Sequence, residues 1–331
     1  MNLKERIELM AWLGEYMTQN PVEWKDAKKQ AYLRNGWFTR EFTDLASTNI
    51  AQQYLTKEAL TKWVKHYHLD DNITRRNVGV VMAGNIPMVG FHDLLSVFIT
   101  GHKQTIKLSS KDDILIKHLV EKLIEKEPKA QTYLTFADNL KGCDAYIATG
   151  SNNTSRYFEY YFGRYPNIIR NNKTSVAVLS GTETLSELEN LAGDICNFFG
   201  LGCRNVTKLY VPENYDFIPF LNAFNRYKHF ADHKKYKNNY DYYLTLLIMN
   251  NQKYMTNNII LLFENDALFT PPSQVNYSVY KDLNKVKEEL VSHSDIQCIA
   301  GKGYLPFGST QVPGLFDYAD GIDTMGFLLS I

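Results

Sequence analysis

Cys203 is the residue in this 331-residue chain whose surroundings best suit covalent chemistry. It follows two glycines, in Phe198-Phe199-Gly200-Leu201-Gly202-Cys203-Arg204, and precedes the β-type run Lys208-Leu209-Tyr210-Val211-Pro212. Glycine beside a thiol lets a substrate come close, because no neighbouring Cβ stands in the way. A thiol held like this can attack a carbonyl carbon and keep the acyl group as a thioester. A free cysteine also serves as a small apolar filler, and both readings stand at this level.

Weaker signals accompany it. Gly84-Asn85-Ile86-Pro87 follows an apolar run, and an Asn there can offer its side-chain amide to a developing oxyanion. The same four residues also make a plain turn. Lys107 ends Thr105-Ile106-Lys107-Leu108-Ser109-Ser110, where a lysine meets either a ribose or phosphate, or only water. Thr149-Gly150-Ser151 opens a helix, so its backbone N–H groups face an anion or Ser151 simply caps the helix. The usual glycine-rich phosphate fingerprints do not occur. His229 and His233 stand at i and i+4 without the glutamate or third ligand of a zinc site, and read as an ordinary helix edge. No metal is expected. The late segments Pro306-Phe307-Gly308 and Asp317-Tyr318-Ala319-Asp320-Gly321-Ile322-Asp323-Thr324 read as loop and turn.

The elements that must position these residues alternate. Residues 1 to about 70 have helical spacing, with Ile7, Met10 and Leu13 and again Leu60, Trp63 and Val64 recurring on one side. From Asn77 short apolar runs alternate with amphipathic stretches. Strands are expected at 78–83, 104–108, 133–136, 145–149, 175–179, 206–211, 259–263 and 297–300. Helices are expected at 91–100, 114–125, 154–162, 183–199, 217–230 and 282–292, with a Tyr-rich stretch to Asn250 either helical or extended. This alternation argues for parallel sheets covered by helices.

Composition narrows the function classes. With 36 basic and 36 acidic residues there is no electrostatic footprint for nucleic acid. Four cysteines, Cys143, Cys196, Cys203 and Cys298, form no CxxC pair, which disfavours a zinc ribbon or a disulfide framework. Charges interrupt the stretch from Met1 to Met17, so no signal peptide is expected, and no apolar run approaches the ~20 residues that span a bilayer. The expected location is cytoplasmic.

Taken in order, these segments resemble the aldehyde dehydrogenase superfamily, most closely its LuxC-type acyl-CoA reductase branch. Gly79-Val80-Val81 through Asn85-Ile86-Pro87 resembles its strand and oxyanion-hole Asn. Thr105-Ile106-Lys107-Leu108-Ser109 resembles its lysine strand beside the adenosine ribose, Ala148-Thr149-Gly150-Ser151 its T-G-S turn, and Gly200-Leu201-Gly202-Cys203 its nucleophile loop. Pro306-Phe307-Gly308 is similar to its late P-F-G motif, and residues 317–324 to the end of LuxC-type chains.

The resemblance implies an α/β, aldehyde-dehydrogenase-like fold: two parallel-sheet, Rossmann-like α/β domains behind an N-terminal helical region. Residues 1–75 would be that region, 76–180 the nucleotide-binding domain and 181–305 the catalytic domain. Residues 306–331 would return to the cofactor domain or a subunit interface. It further implies NADPH- or NADH-dependent reduction of a (fatty) acyl-CoA to aldehyde through a Cys203 thioester, with Asn85 on the oxyanion. Lys107, Ser109, Thr149, Gly150, Ser151, Phe269 and Phe307 would hold the cofactor, and the chain would be a homo-oligomer. Two family glutamates are missing: Ile168 to Lys173 holds none, and the E-x-F-G-P glutamate falls at Ala267. Loss of the first disfavours hydrolysis to a free acid and fits acyl exchange with a thiol. The alternatives are a cofactor-free Cys acyltransferase or thioesterase, and a non-catalytic aldehyde-dehydrogenase-like assembly protein.

Overall fold

Capped amphipathic segments make the N-terminal part helical in the computed structural model, which describes residues 1–291 and 293–331. These are α1 (Leu3–Gln19), α2 (Val22–Arg34), α3 (Arg40–Asn49) and α4 (Lys57–His66). Asn2 and Glu5 close a capping box on α1, and Thr39 and Thr56 cap α3 and α4, satisfying N–H groups left over at each start. Their apolar faces bury Met10, Leu13, Trp24, Phe42, Leu60 and Trp63.

The α/β alternation follows: β1 (Asn77–Val81), α5 (Phe91–Thr100), β2 (Lys103–Lys107), α6 (Ile114–Lys126), β3 (Leu134–Phe136), β4 (Ala145–Thr149), α7 (Asn152–Phe162) and β5 (Asn167–Arg170). The strands form one parallel sheet in the order β3-β2-β1-β4-β5. The direction of winding reverses between β1 and β4, the kind of crevice where ligands of open α/β sheets bind. Helix α5 is apolar almost all round and is correspondingly buried.

Residues 173–312 form the second unit. It comprises β6 (Thr174–Val178), α8 (Leu185–Cys196), β7 (Val206–Pro212), α9 (Phe217–Asn222), α10 (Lys234–Met249), β8 (Met255–Thr256), β9 (Leu261–Glu264), β10 (Gln274–Tyr280), α11 (Leu283–Val291) and β11 (Ile296–Gly301). The sheet order is β11-β6-β7-β10-β9-β8, parallel except for the β8–β9 pair. The first unit is discontinuous: it holds 1–172 together with 313–331, including α12 (Thr324–Leu329) packed on α5. Trp63 Nε1 donates to Tyr318 Oη at 2.9 Å, Tyr318 donates to Tyr67 Oη at 2.8 Å, and Tyr67 donates to Asp323 at 2.8 Å. That relay ties the returning segment to α4.

Several elements differ from expectation. The helix expected over 183–199 ends at Cys196, because Phe198 and Phe199 turn left-handed (φ 55° and 57°). Leu185, the first residue of α8, is exposed. The helix expected over 217–230 is α-helical only to Asn222 and continues as a 3₁₀ segment. The Tyr-rich stretch is helix α10, where His233 is the N-cap, accepting from Tyr236 N–H at 3.2 Å. Strand β10 was not anticipated at all. The expected helix end at Ser292 lies outside the described residues.

Candidate active site

In the first unit the candidate residues gather where parallel strands end. β1 runs out into the Gly84–Met88 corner, and Gly84 allows that corner to lie against the turn after β2. A Cβ on Gly84 would come within 2.7 Å of Ser109 Oγ and 3.2 Å of Asp112 N. Met88 is left-handed (φ 56°), and its N–H donates to Asp112 Oδ2 at 2.6 Å. Asn85, at the tip, is exposed.

Asp112 was missed from the sequence, where Lys111-Asp112-Asp113 looks like an ordinary solvated charge run. It is buried, and its Oδ1 has no hydrogen-bond partner. Burial pushes its carboxyl up to about 7; the Met88 N–H opposes that rise and the neighbouring Asp113 charge adds to it.

Lys107 is exposed at the end of β2, and Ser109 accepts from Lys111 N–H at 3.3 Å. Ser151 caps α7, exchanging a hydrogen bond with Thr154 Oγ1 at 2.9 Å. Thr149 Oγ1 accepts from Arg170 Nη1 at 3.4 Å. Arg170 is itself buried, donating to Asp93 Oδ2 at 2.6 Å and to Thr324 Oγ1 at 2.9 Å. At the carboxyl ends of β2 and β3 lies a cavity of about 820 Å³, with Ile106, Leu108 and Phe136 among its walls and Ser110, Asp113 and Asp138 at its polar side.

In the second unit the candidates Cys203 and Phe269 sit ahead of strands β7 and β10. Helix α8 stops at Cys196, and Phe198, Phe199 and Gly200 are three left-handed residues in succession (Gly200 φ 73°). Left-handed backbone costs an L-residue ~1–2 kcal/mol, so two phenylalanines in it need compensation. Phe199 finds part of it in ring contacts with Phe230, His233 and Tyr236 at 4.4–5.6 Å.

Cys203 is half-buried in the turn leading to β7, whereas Cys143 and Cys196 are buried. Its carbonyl accepts from Ser175 Oγ at 3.0 Å, and the same hydroxyl lies 3.0 Å from Cys298 Sγ. Burial raises the Cys298 thiol, partly offset by the Ser175 hydrogen bond and the Arg204 charge.

Two tethers in this unit also escaped sequence reading. Asp194, a carboxylate on the buried face of α8, accepts from Gly308 N–H at 2.7 Å, Thr310 N–H at 3.1 Å and Thr310 Oγ1 at 2.7 Å. It thereby holds the loop that carries Phe307; burial raises its carboxyl, opposed by these donors. An acid beside Leu191 and Ile195 on an apolar stripe was the available signal. Lys208, buried in β7, donates to Asn265 O and Ser278 Oγ, and burial pulls its ammonium down to about 8. Phe269 is 44% exposed, in a loop held by hydrogen bonds from Thr207 Oγ1 to Leu268 O and Asn276 Nδ2 to Ala267 O.

No family model matches the sequence, and no curated protein does. Among solved structures the chain is similar to an oxidoreductase from Marinobacter aquaeolei, with TM-score 0.68 and 10% identity over 91% of this chain and 73% of that one. An aldehyde dehydrogenase from Physcomitrella patens, in complex with the reaction product succinate, gives 0.66 and 11% over 91% and 74%. Indole-3-acetaldehyde dehydrogenase of P. syringae, in complex with NAD+ and IAA, gives 0.63 and 12% over 91% and 72%. The likeness is one of fold, and the fold is that of the aldehyde dehydrogenases.

Proposed function

We propose that this chain, built on an aldehyde dehydrogenase fold, reduces an acyl-CoA to the aldehyde with NADPH or NADH through a thioester on Cys203. The observation that carries the reading is the half-buried Cys203 in a tethered turn that follows three left-handed residues and leads into β7. Strain of this kind concentrates at functional sites, where the surroundings hold a conformation the local chain would not choose.

The Cys203 sulfur bonds to the acyl carbon and coenzyme A leaves as its thiolate. While the tetrahedral oxyanion exists, the Cys203 N–H and the Asn85 side-chain amide are the assigned donors, each worth about 3 kcal/mol of barrier. When bound, the reduced nicotinamide would supply the two electrons and hydrogen that turn the acyl-enzyme carbonyl into a thiohemiacetal. Breaking its C–S bond releases the aldehyde and returns the Cys203 thiolate. The cavity beyond β2 has apolar walls in Ile106, Leu108 and Phe136 that suit an adenine ring, but its rim carries the carboxylates Glu23, Asp26, Asp113, Glu121 and Asp138 and none of the assigned contacts, so the support it gives is that apolar wall alone. Lys107, Ser109, Thr149, Gly150, Ser151, Phe269 and Phe307 are the assigned contacts. The solved neighbours named with NAD+ support cofactor use. The absence of glutamate from Ile168 to Lys173 supports reduction over hydrolysis.

The test mixes purified protein with NADPH or NADH and acyl-CoAs of different chain lengths, following cofactor absorbance and free thiol. Cofactor oxidation that requires acyl-CoA is expected, and Cys203→Ala should lower it by about 10³-fold or more while nucleotide still binds. Thiol release without cofactor would instead make the chain an acyltransferase or thioesterase. Neither signal would leave it a non-catalytic assembly protein.

A further inference from the structure

The turn that presents Cys203 leaves an account to be balanced. Helix α8 ends with carbonyls that no longer find intrahelical partners, because the chain leaves the helix into left-handed backbone. The side chain of Asn205 answers them. Its Nδ2 lies 3.0 Å from Asp194 O, 3.2 Å from Ile195 O and 2.8 Å from Asn197 O, so two N–H bonds are shared among three carbonyls. Its Oδ1 accepts from Gly202 N–H at 2.8 Å, and its own N–H donates to Gly202 O at 3.1 Å. Asn205 has 0% exposure. It is a short cross-brace between the last turn of α8 and Gly202, the residue just before Cys203.

We propose that Asn205 is the positioning residue of the Cys203 turn, fixing the thiol and the adjoining backbone N–H in the arrangement that accepts the acyl group. This rests on the reading of Cys203 as nucleophile. Only an uncharged amide satisfies the site. An Asp would face three carbonyls with an anion, and an Ala would take this donor from the buried Asp194 and Ile195 carbonyls and from the part-buried Asn197 carbonyl, and this acceptor from the Gly202 N–H. The same last turn, through the Asp194 carboxylate, holds the Gly308–Thr310 loop. Movement of the helix end therefore reaches both the thiol and the loop of Phe307. Ser175 supports the turn from β6, its hydroxyl donating to Cys203 O and its N–H to Asn205 O at 3.1 Å.

The experiment compares Asn205→Ala and Ser175→Ala with the parent protein. It reads folding by circular dichroism, steady-state acyl-CoA reduction, alkylation of Cys203 by iodoacetamide, and hydrogen exchange over 197–205. Asn205→Ala is expected to lower kcat about 10²-fold with KM nearly unchanged, the signature of lost alignment. It should also change the alkylation rate severalfold and speed exchange at the Gly202 amide. Ser175→Ala, removing one neutral hydrogen bond, should lower kcat about 3- to 10-fold and remains informative if Asn205→Ala does not fold. Folded variants with kcat, alkylation and exchange all within about twofold of the parent, a change smaller than a typical net hydrogen bond, overturn the proposal. A Cys203→Ala protein that keeps its activity overturns the nucleophile reading instead, while the exchange and alkylation results still judge the brace.

Discussion

The first unit sets Asn85, Lys107 and Thr149 at the carboxyl ends of β1, β2 and β4, whereas the second sets Cys203 and Phe269 ahead of the amino ends of β7 and β10. Each key turn has one buried polar side chain at its centre, an acceptor in the first and a donor in the second. In the Gly84–Met88 corner, ahead of α5, the Asp112 carboxyl accepts from Met88 N–H, two residues before the N-cap Gly90. The Cys203 turn leaves the end of α8, where the surplus is C=O, and a donor, the Asn205 amide, meets that. One brace can titrate and the other cannot.

That contrast is sharpest in its dependence on pH. Asp112 has its folded pKa raised from 3.8 to about 7, so the folded chain binds a proton that the unfolded chain has already lost between those values. Stability from this group is therefore present at low pH and lost as pH rises toward 7, by on the order of 4 kcal/mol across the window. Urea melts of the parent should fall relative to those of Asp112→Asn between pH 4 and pH 7. Parallel pH profiles would remove the carboxyl as the brace of the corner.

A smaller effect separates the two turns by function. Asn85→Ala should lower kcat about 10²-fold without unfolding the protein, because Asn85 is exposed and is the proposed side-chain donor to the oxyanion. A change under about threefold, less than a typical hydrogen bond to a charged group, would take the corner out of the chemistry and leave Cys203 N–H alone in that role. Smallest of all, Gly200→Ala should cost about 1–2 kcal/mol in thermal or urea stability, from left-handed backbone, and Gly200→Asn less, since Asn tolerates that conformation. Equal costs would mean that crowding, not handedness, demands glycine there.

Much of the fold was legible because hydrophobic runs and amphipathic stretches alternate at fixed spacing. β10 was not, for a physical reason: Gln274, Asn276 and Ser278 are polar, with Asn276 Nδ2 donating to Ala267 O and Ser278 Oγ bonding to Lys208 and Asp266, so the apolar signal breaks. The end of α8 was overrun because Phe198 and Phe199 look like good apolar helix residues. Only the tertiary demand of Asn205 and the ring contacts of Phe199 explain their left-handed backbone. The groups that would react, Cys203 and Asn85, stood out by their glycine neighbours. Asp112, Asn205 and Asp194 did not, because their roles consist of distant backbone partners that a linear reading does not display.

The discontinuity of the first unit carries a consequence for biogenesis. The second unit is one uninterrupted stretch, so all of its strands are synthesised before residues 313–331. The first unit has to wait. Until Thr324 arrives, the buried Arg170 guanidinium lacks the hydroxyl that accepts from Nη2, and Trp63 lacks the phenol of Tyr318. A ribosome that stops near residue 312 would thus release a finished second half and an unsealed first one, with an apolar α5 uncovered by α12 and open to chaperones.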